Sequence, residues 1–221
     1  MSQVEAAGTA SKLAAVVPMK PLHESKSRLS DELSEPERAA LSLNLFRIVL
    51  AAATASKLGR VIVLGGDNDV RLLAEGFGAE WTADVNRGLN AELGVAFDEL
   101  STTGWASMYL PGDLPLITAT DIDAAIDASR NGTLLAMCPA TRDGGTNGLI
   151  VPSRSPFRPE LGEDSFARHK KAALSAGLPF ATCDALGFSL DLDTIDDLLA
   201  CERIEPGFRM RILTPGGDAT P

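Results

Sequence analysis

The sequence predicts a single α/β domain, a mostly parallel twisted sheet with helices on both faces, and three observations carry that expectation. Short apolar or β-branched runs alternate with amphipathic stretches along most of the chain. The hydrophobic set makes up 45% of the residues but aromatics only 5%, a balance that suits helices packed on a sheet. The length of 221 residues buries one substantial core more readily than two small ones.

Taken in order, residues 1–11 are small and polar and read as a flexible N-terminus, residues 12–213 as the domain, and residues 214–221 as a flexible C-terminus rich in Gly and Pro. Strands are expected over Leu13–Val17, Val61–Leu64, Ser107–Leu110, Leu134–Met137 and Leu149–Val151, each short enough to be buried. The first long helix is expected from Glu35 to Lys57. Its apolar residues Leu41, Leu45, Ile48, Val49 and Ala52 follow helical spacing, Ser34 is a candidate N-cap, and Pro36 lies in the first turn. Further helices are expected at about Val70–Glu75, Asn90–Leu100, Ala119–Ser129, Ser165–Ala176 and Ile195–Arg203. Strand–helix–strand alternation of this kind gathers ligands at the carboxyl ends of the strands.

Charge and motifs narrow the function classes. A formal net charge of -10 argues against sequence-independent attraction to nucleic acid. Cys138, Cys183 and Cys201 are too widely and irregularly spaced for a zinc knuckle or a redox pair, and read as reduced core thiols. No signal peptide opens the chain, and no apolar run is read as a membrane span, so a cytoplasmic protein is expected. Neither the dinucleotide fingerprint nor the Walker loop occurs, so phosphate must be handled in another way.

Four segments carry candidate chemistry. Lys20, Lys26 and Arg28 follow the first strand and place three cations within nine residues of an acidic chain, where a triphosphate would be held. A solvated charged turn is the bland alternative. Asp113 ends an apolar strand, hemmed by Gly112, Pro111 and Pro115, and suits Mg²⁺, which prefers oxygen ligands; an Asx-type turn is the alternative. In Asp191-Leu192-Asp193-Thr194 an extended backbone would turn both carboxylates to one side and Leu192 to the other, while Thr194 with Asp197 resembles a capping box. In Gly144-Gly145-Thr146-Asn147-Gly148 the glycines let backbone approach a ligand, or form a hairpin turn. Ser165 stands where a loop enters a helix and reads as an N-cap, or as a cap that also contacts substrate; His169, nearby, shows no partner and is not read as catalytic.

The ordered set VVPMKPLHESKSRLS, PGDLPLI, GGTNGLIV, LGEDSFARH and DLDTIDDL, spanning roughly residues 13–200, resembles the guanylyltransferases of deazaflavin coenzyme F-420 biosynthesis. Those enzymes act on phosphoenolpyruvate, 2-phospho-L-lactate or 3-phospho-D-glycerate. The resemblance implies a nucleotide-diphospho-sugar transferase-like (GT-A-like) fold, GTP as co-substrate, Mg²⁺, and release of pyrophosphate. It implies Asp113 and Asp191, with Asp193 nearby, on the metal, and Thr146 or Asn147, Gly162 and Ser165 around the phosphorylated acid. Lys20, Lys26 and Arg28 would face the nucleotide phosphates, Gly112 would also bind the nucleotide, and Gly88 and Asn90 would lie near the base. The product would pass to the next enzyme of that biosynthesis, and a homodimer is allowed for. A phosphate monoester is largely a dianion at pH 7 and needs no general base, so the lack of a Ser or Cys constellation is no handicap. The competing readings are a molybdopterin or sugar-phosphate nucleotidyltransferase, and a non-catalytic nucleotide-binding module.

Overall fold

The computed structural model describes residues 12–85 and 87–214; the two expected flexible ends lie outside them, except Thr214 at the boundary. Strand β1 (Leu13–Met19) shows how the sequence builds the layers. Leu13, Ala15 and Val17 face one apolar cluster and Ala14 and Val16 the other, so this central strand is buried on both faces as a parallel strand requires.

The remaining elements follow in alternation: α1 (Glu35–Ala55), β2 (Arg60–Gly65), α2 (Asn68–Gly76), β3 (Glu80–Thr82), α3 (Leu89–Thr102), β4 (Ala106–Tyr109), α4 (Ala119–Ala128), β5 (Leu135–Pro139), β6 (Thr146–Val151), α5 (Ser165–Ser175), β7 (Phe180–Thr182), α6 (Ile195–Ile204) and α7 (Phe208–Leu213). Sheet order is β3-β2-β1-β4-β6-β5-β7. Only β6 runs antiparallel to its neighbours β4 and β5; the other pairings are parallel. Helices α1, α2, α4, α6 and α7 cover one face, and α3 and α5 the other.

All five expected strands and all six expected helices form. The sequence reading missed β3, β7 and α7; the two strands are three residues long, too short for a period-2 signal to register. Ser34 caps α1 in a capping box with Glu37, and Pro36 lies in the first turn, as expected. By length and a mean hydropathy of 1.3, α1 is long and apolar enough to cross a membrane, which the sequence reading did not allow for. Here its apolar side, including Leu41, Leu45, Phe46 and Val49, is spent on the sheet, which makes it a core helix. The three cysteines are free and buried.

Candidate active site

The loops at the carboxyl ends of β1, β2, β3 and β4 surround a cleft of about 520 Å³ whose lining includes Lys20, Lys26, Arg28, Asp84, Asp113 and Asp193. Its basic wall is the loop after β1. Two short 3-10 turns, Leu22–Glu24 and Ser27–Leu29, compact this loop, and Leu22 and Leu29 anchor it in the core. The Leu22 N–H donates to Asp67 Oδ2 at 2.7 Å, while Asp67 Oδ1 caps α2 by accepting from the Asp69 and Val70 N–H groups. One carboxylate thus ties the loop after β1 to the end of β2.

Between the two turns Lys26 adopts the left-handed region at φ 53°, and its ammonium reaches Asp113 Oδ2 at 2.7 Å and Asp193 Oδ1 at 3.0 Å. Only 6% of the side chain is exposed. Burial alone would push the Lys26 pKa down, and the two carboxylates more than reverse it, leaving the pKa above the usual lysine value. Arg28, exposed, adds a 3.3 Å contact to Asp193, and Lys20 is exposed on the cleft wall. The expected basic loop and acidic cluster therefore meet.

Close packing fixes the acidic wall. Gly112 lies against the Met19 sulfur and near Phe46, so a Cβ there would have to displace the Met19 side chain, and the Asp113 turn sits close against the end of β1. The Leu192 N–H donates to the Asp113 carbonyl at 3.1 Å, which lays the extended segment beside that turn. Leu192 is fully buried while Asp191 and Asp193 remain half-buried, the alternation expected of that stretch. Thr194 and Asp197 form the expected capping box on α6.

Arg142, on the β5–β6 connection, was not singled out by sequence. It donates to Asp197 Oδ2 at 2.6 Å and approaches Asp191 at 3.5 Å and Asp193 at 4.0 Å. Burial and repulsion from Asp113 and Asp193 hold the Asp191 carboxyl above the usual range. Asp193 moves the other way: burial would raise it, but Lys26, Arg28 and Arg142 bring it below. Tyr109, the buried neighbour on the cleft wall, is raised by burial and by the surrounding aspartates. Among the described residues no three acidic, His or Cys side chains already form a cage for a metal ion. A monovalent cation, the Lys26 ammonium, instead bridges two of the expected ligands.

A bulge shapes the next part of the site. Cys138 pairs with Gly148 but Pro139 with Thr146, which leaves Asn147 as the extra residue on β6. Its amide donates to the Phe188 carbonyl at 3.0 Å and to Asp191 Oδ1 at 3.3 Å. Thr146 instead joins a buried group: its hydroxyl accepts from Ser165 Oγ at 3.2 Å and lies 3.0 Å from His169 Nδ1. The Gly144–Gly148 segment takes the hairpin form, connecting β5 to β6, and its last three residues open β6.

Two readings near α5 change. The N-cap is Asp164, in the left-handed region at φ 54°, and Ser165 is the first helical residue, its hydroxyl turned to Thr146 and not back to the helix N–H groups. His169 does have partners. Its Nε2 accepts the Glu160 N–H at 2.9 Å, so the ring proton resides on Nδ1, facing Thr146. Burial and the nearby Arg168 bring its pKa down to about 4. The Gly162 loop is zipped to the Gly144 loop by Asp164 N–H to Asp143 O and Phe166 N–H to Gly144 O, so Thr146, Gly162 and Ser165 belong to one neighbourhood.

Gly88 is the N-cap residue of α3 at φ 89°. Asn90, expected near a base, uses its side chain otherwise: it accepts the Leu161 N–H at 2.8 Å and donates to the Leu161 carbonyl at 3.2 Å. It fastens the start of α3 to the loop that carries Gly162.

With this geometry in hand, a family model described as "Guanylyl transferase CofC like" matches residues 13–202. The chain belongs to the CofC-like guanylyl transferase family. Among its relatives, a phosphoenolpyruvate guanylyltransferase of Roseiflexus sp. (strain RS-1) is 36% identical over 84% of this chain and 82% of its own length. A 3-phospho-D-glycerate guanylyltransferase of Phenylobacterium zucineum (strain HLK1) is 36% identical over 80% and 84%. In fold, the chain matches a Desulfovibrio desulfuricans G20 crystal structure placed among nucleotide-diphospho-sugar transferases, with TM-score 0.73, 16% identity and 90% coverage of both chains. A nucleotidyl transferase from Methanothermobacter thermautotroptrophicus gives TM-score 0.60 at 15% identity, covering 89% of this chain and 97% of its own. The CofC-like chain thus has the expected single-domain fold of nucleotidyltransferases.

Proposed function

We propose that the protein transfers GMP from GTP to a phosphorylated three-carbon acid, phosphoenolpyruvate, 2-phospho-L-lactate or 3-phospho-D-glycerate, releasing pyrophosphate. The observation that carries this reading is the contact of Lys26 with Asp113 and Asp193, which brings the basic loop and the acidic segments to one cleft, with Asn147, the neighbour of Thr146, bonded to Asp191. The names of the two relatives support both the guanylyl donor and the class of acceptor.

In this reading Lys20, Lys26 and Arg28 hold the triphosphate, and the loops of Thr146, Gly162 and Ser165 receive the acid. An oxygen of the acid's phosphate attacks the α-phosphorus; the new O–P bond forms as the bond to the β-phosphate oxygen breaks, and pyrophosphate leaves with that electron pair. The nucleophile is already ionised, so the protein's part is positioning and charge neutralisation. Hard oxygen donors that already grip an ammonium fit Mg²⁺. Asp113, Asp191 and Asp193 would hold it, and when bound it would supply charge neutralisation at the transferring phosphoryl group. Asp191, linked to Asn147, joins that cluster to the strand that carries Thr146. A cytoplasmic location accords with a GTP-dependent reaction, and the product would pass to a following biosynthetic enzyme.

The test is pyrophosphate release with Mg²⁺ from GTP, CTP, UTP and ATP, each with the three acids, a sugar phosphate and molybdopterin. Release that requires GTP and one of the acids is expected. Release with a sugar phosphate or molybdopterin, or with none of the acceptors, contradicts the proposal.

A further inference from the structure

The sheet order lays the loops of the cleft out in a line: Asp84 after β3, Gly65 to Asp67 after β2, the basic loop after β1, and Asp113 after β4. With adjacent strands about 4.8 Å apart, the ends of β3 and β4 are separated by roughly 14 Å. Asp84 is half-buried and lines the same cleft as Lys20 and Lys26. Its Oδ2 lies 3.0 Å from where a Cβ on Gly65 would stand, so the carboxylate sits directly over the end of β2. Among the described residues it accepts no hydrogen bond and pairs with no cation.

That position is built. The buried Glu92 accepts the N–H groups of Val85 at 3.1 Å and Arg87 at 3.0 Å, pinning the loop just beyond Asp84 to α3. On the other side, Leu64 pairs with Thr82, and Trp81 Nε1 donates to the Gly65 carbonyl at 2.9 Å. Glu92, the other carboxylate at this end of the cleft, is spent on that task. Asp84 is held in place and, among the described residues, left with both oxygens free, in a cleft whose far end must receive a polyanion. A free carboxylate there repels such a ligand unless it meets donors on it.

Guanine supplies them: its N1–H and its 2-amino group are adjacent donors matched to the two oxygens of one carboxylate. Adenine and cytosine each set a ring acceptor beside their amino donor, and uracil offers one N–H between two carbonyls. Leu64 and Leu89 on the same cleft wall offer apolar surface to the base. We propose that Asp84 reads the guanine edge and sets the donor preference of the transfer, an inference that rests on the guanylyl reading given above.

The test measures binding of GTP, ITP (no 2-amino group) and XTP (a 2-carbonyl) by calorimetry, with transfer rates alongside, for wild type, Asp84→Ala and Asp84→Asn. Wild type is expected to favour GTP over ITP by about 10- to 100-fold, the scale of one bidentate contact. Asp84→Ala should weaken GTP most and ITP, which keeps the N1–H donor, less, so that the GTP-to-ITP ratio falls towards one, and Asp84→Asn should favour XTP over GTP. A merely structural role would weaken all three nucleotides together, and a GTP-to-ITP ratio untouched by Asp84→Ala overturns the proposal. Asp84-dependent guanine selectivity without any transfer would keep this inference and remove the guanylyltransferase reading; transfer of GMP with unchanged selectivity would do the reverse.

Discussion

Lys26 Nζ lies 2.7 Å from Asp113 Oδ2, joining two residues 87 positions apart, and a second contact at 3.0 Å extends the pair to Asp193. Through this one ammonium, three loops that the sequence leaves unconnected become one site. Removing it would strand two carboxylates that are each about a third exposed.

Lys26→Met should therefore lower stability by about 1–3 kcal/mol, less than for a fully buried pair because both aspartates keep some water. Urea denaturation measures it. The same variant should lose on the order of 100-fold in transfer rate, since the phosphates lose a compact cation. An unchanged midpoint would mean the contact contributes nothing to the fold.

Asp113→Asn and Asp191→Asn should keep the fold and lose on the order of 100-fold or more in activity. Binding of Mn²⁺ followed by electron paramagnetic resonance, in the absence of acceptor, should weaken in both. Full Mn²⁺ binding in both variants would rule these aspartates out as metal ligands.

Asp67→Ala removes the cap of α2 and the anchor of Leu22 together. A stability loss of about 1–2 kcal/mol is expected. The more telling result is a raised KM for GTP with kcat less affected, because the residue touches the loop and not the ligand; steady-state kinetics separates the two.

His169 gives a pH signature. Its pKa falls from 6.5 to about 4 on folding, so below pH 6.5 the unfolded chain binds a proton that the native ring refuses. The stability from the neutral ring is complete above pH 6.5 and is lost as pH drops toward 4, by about 1–3 kcal/mol for a shift of this size. Melting temperatures at stepped pH should show this decline in wild type and a shallower one in His169→Gln.

How far the site was legible depended on whether its signals were local. The Thr194–Asp197 box, the Ser34 cap, the alternation of Leu192 with its flanking aspartates and the doubly buried β1 are all written within a few residues, and each was readable. The partners of Lys26 and Asn147 depend on which strands neighbour one another, which a single sequence does not state. Arg142 could have been noticed as a lone cation ahead of the Gly-Gly pair, but its role depends on a packed α6. Ser165 looked like a cap because its hydroxyl could bond its own helix; tertiary packing offered Thr146 instead. Asn90 was placed near the base by resemblance, whereas its amide is used to hold the Leu161 loop.

The most direct measurement is mass spectrometry of the products formed from GTP and Mg²⁺ with the three phosphorylated acids in competition, using wild type and Asp113→Asn. The account requires a guanosine–diphosphate conjugate of one acid, with equimolar pyrophosphate, from wild type, and almost none from Asp113→Asn. Free GDP or GMP alone, no product at all, or equal product from both proteins would contradict it.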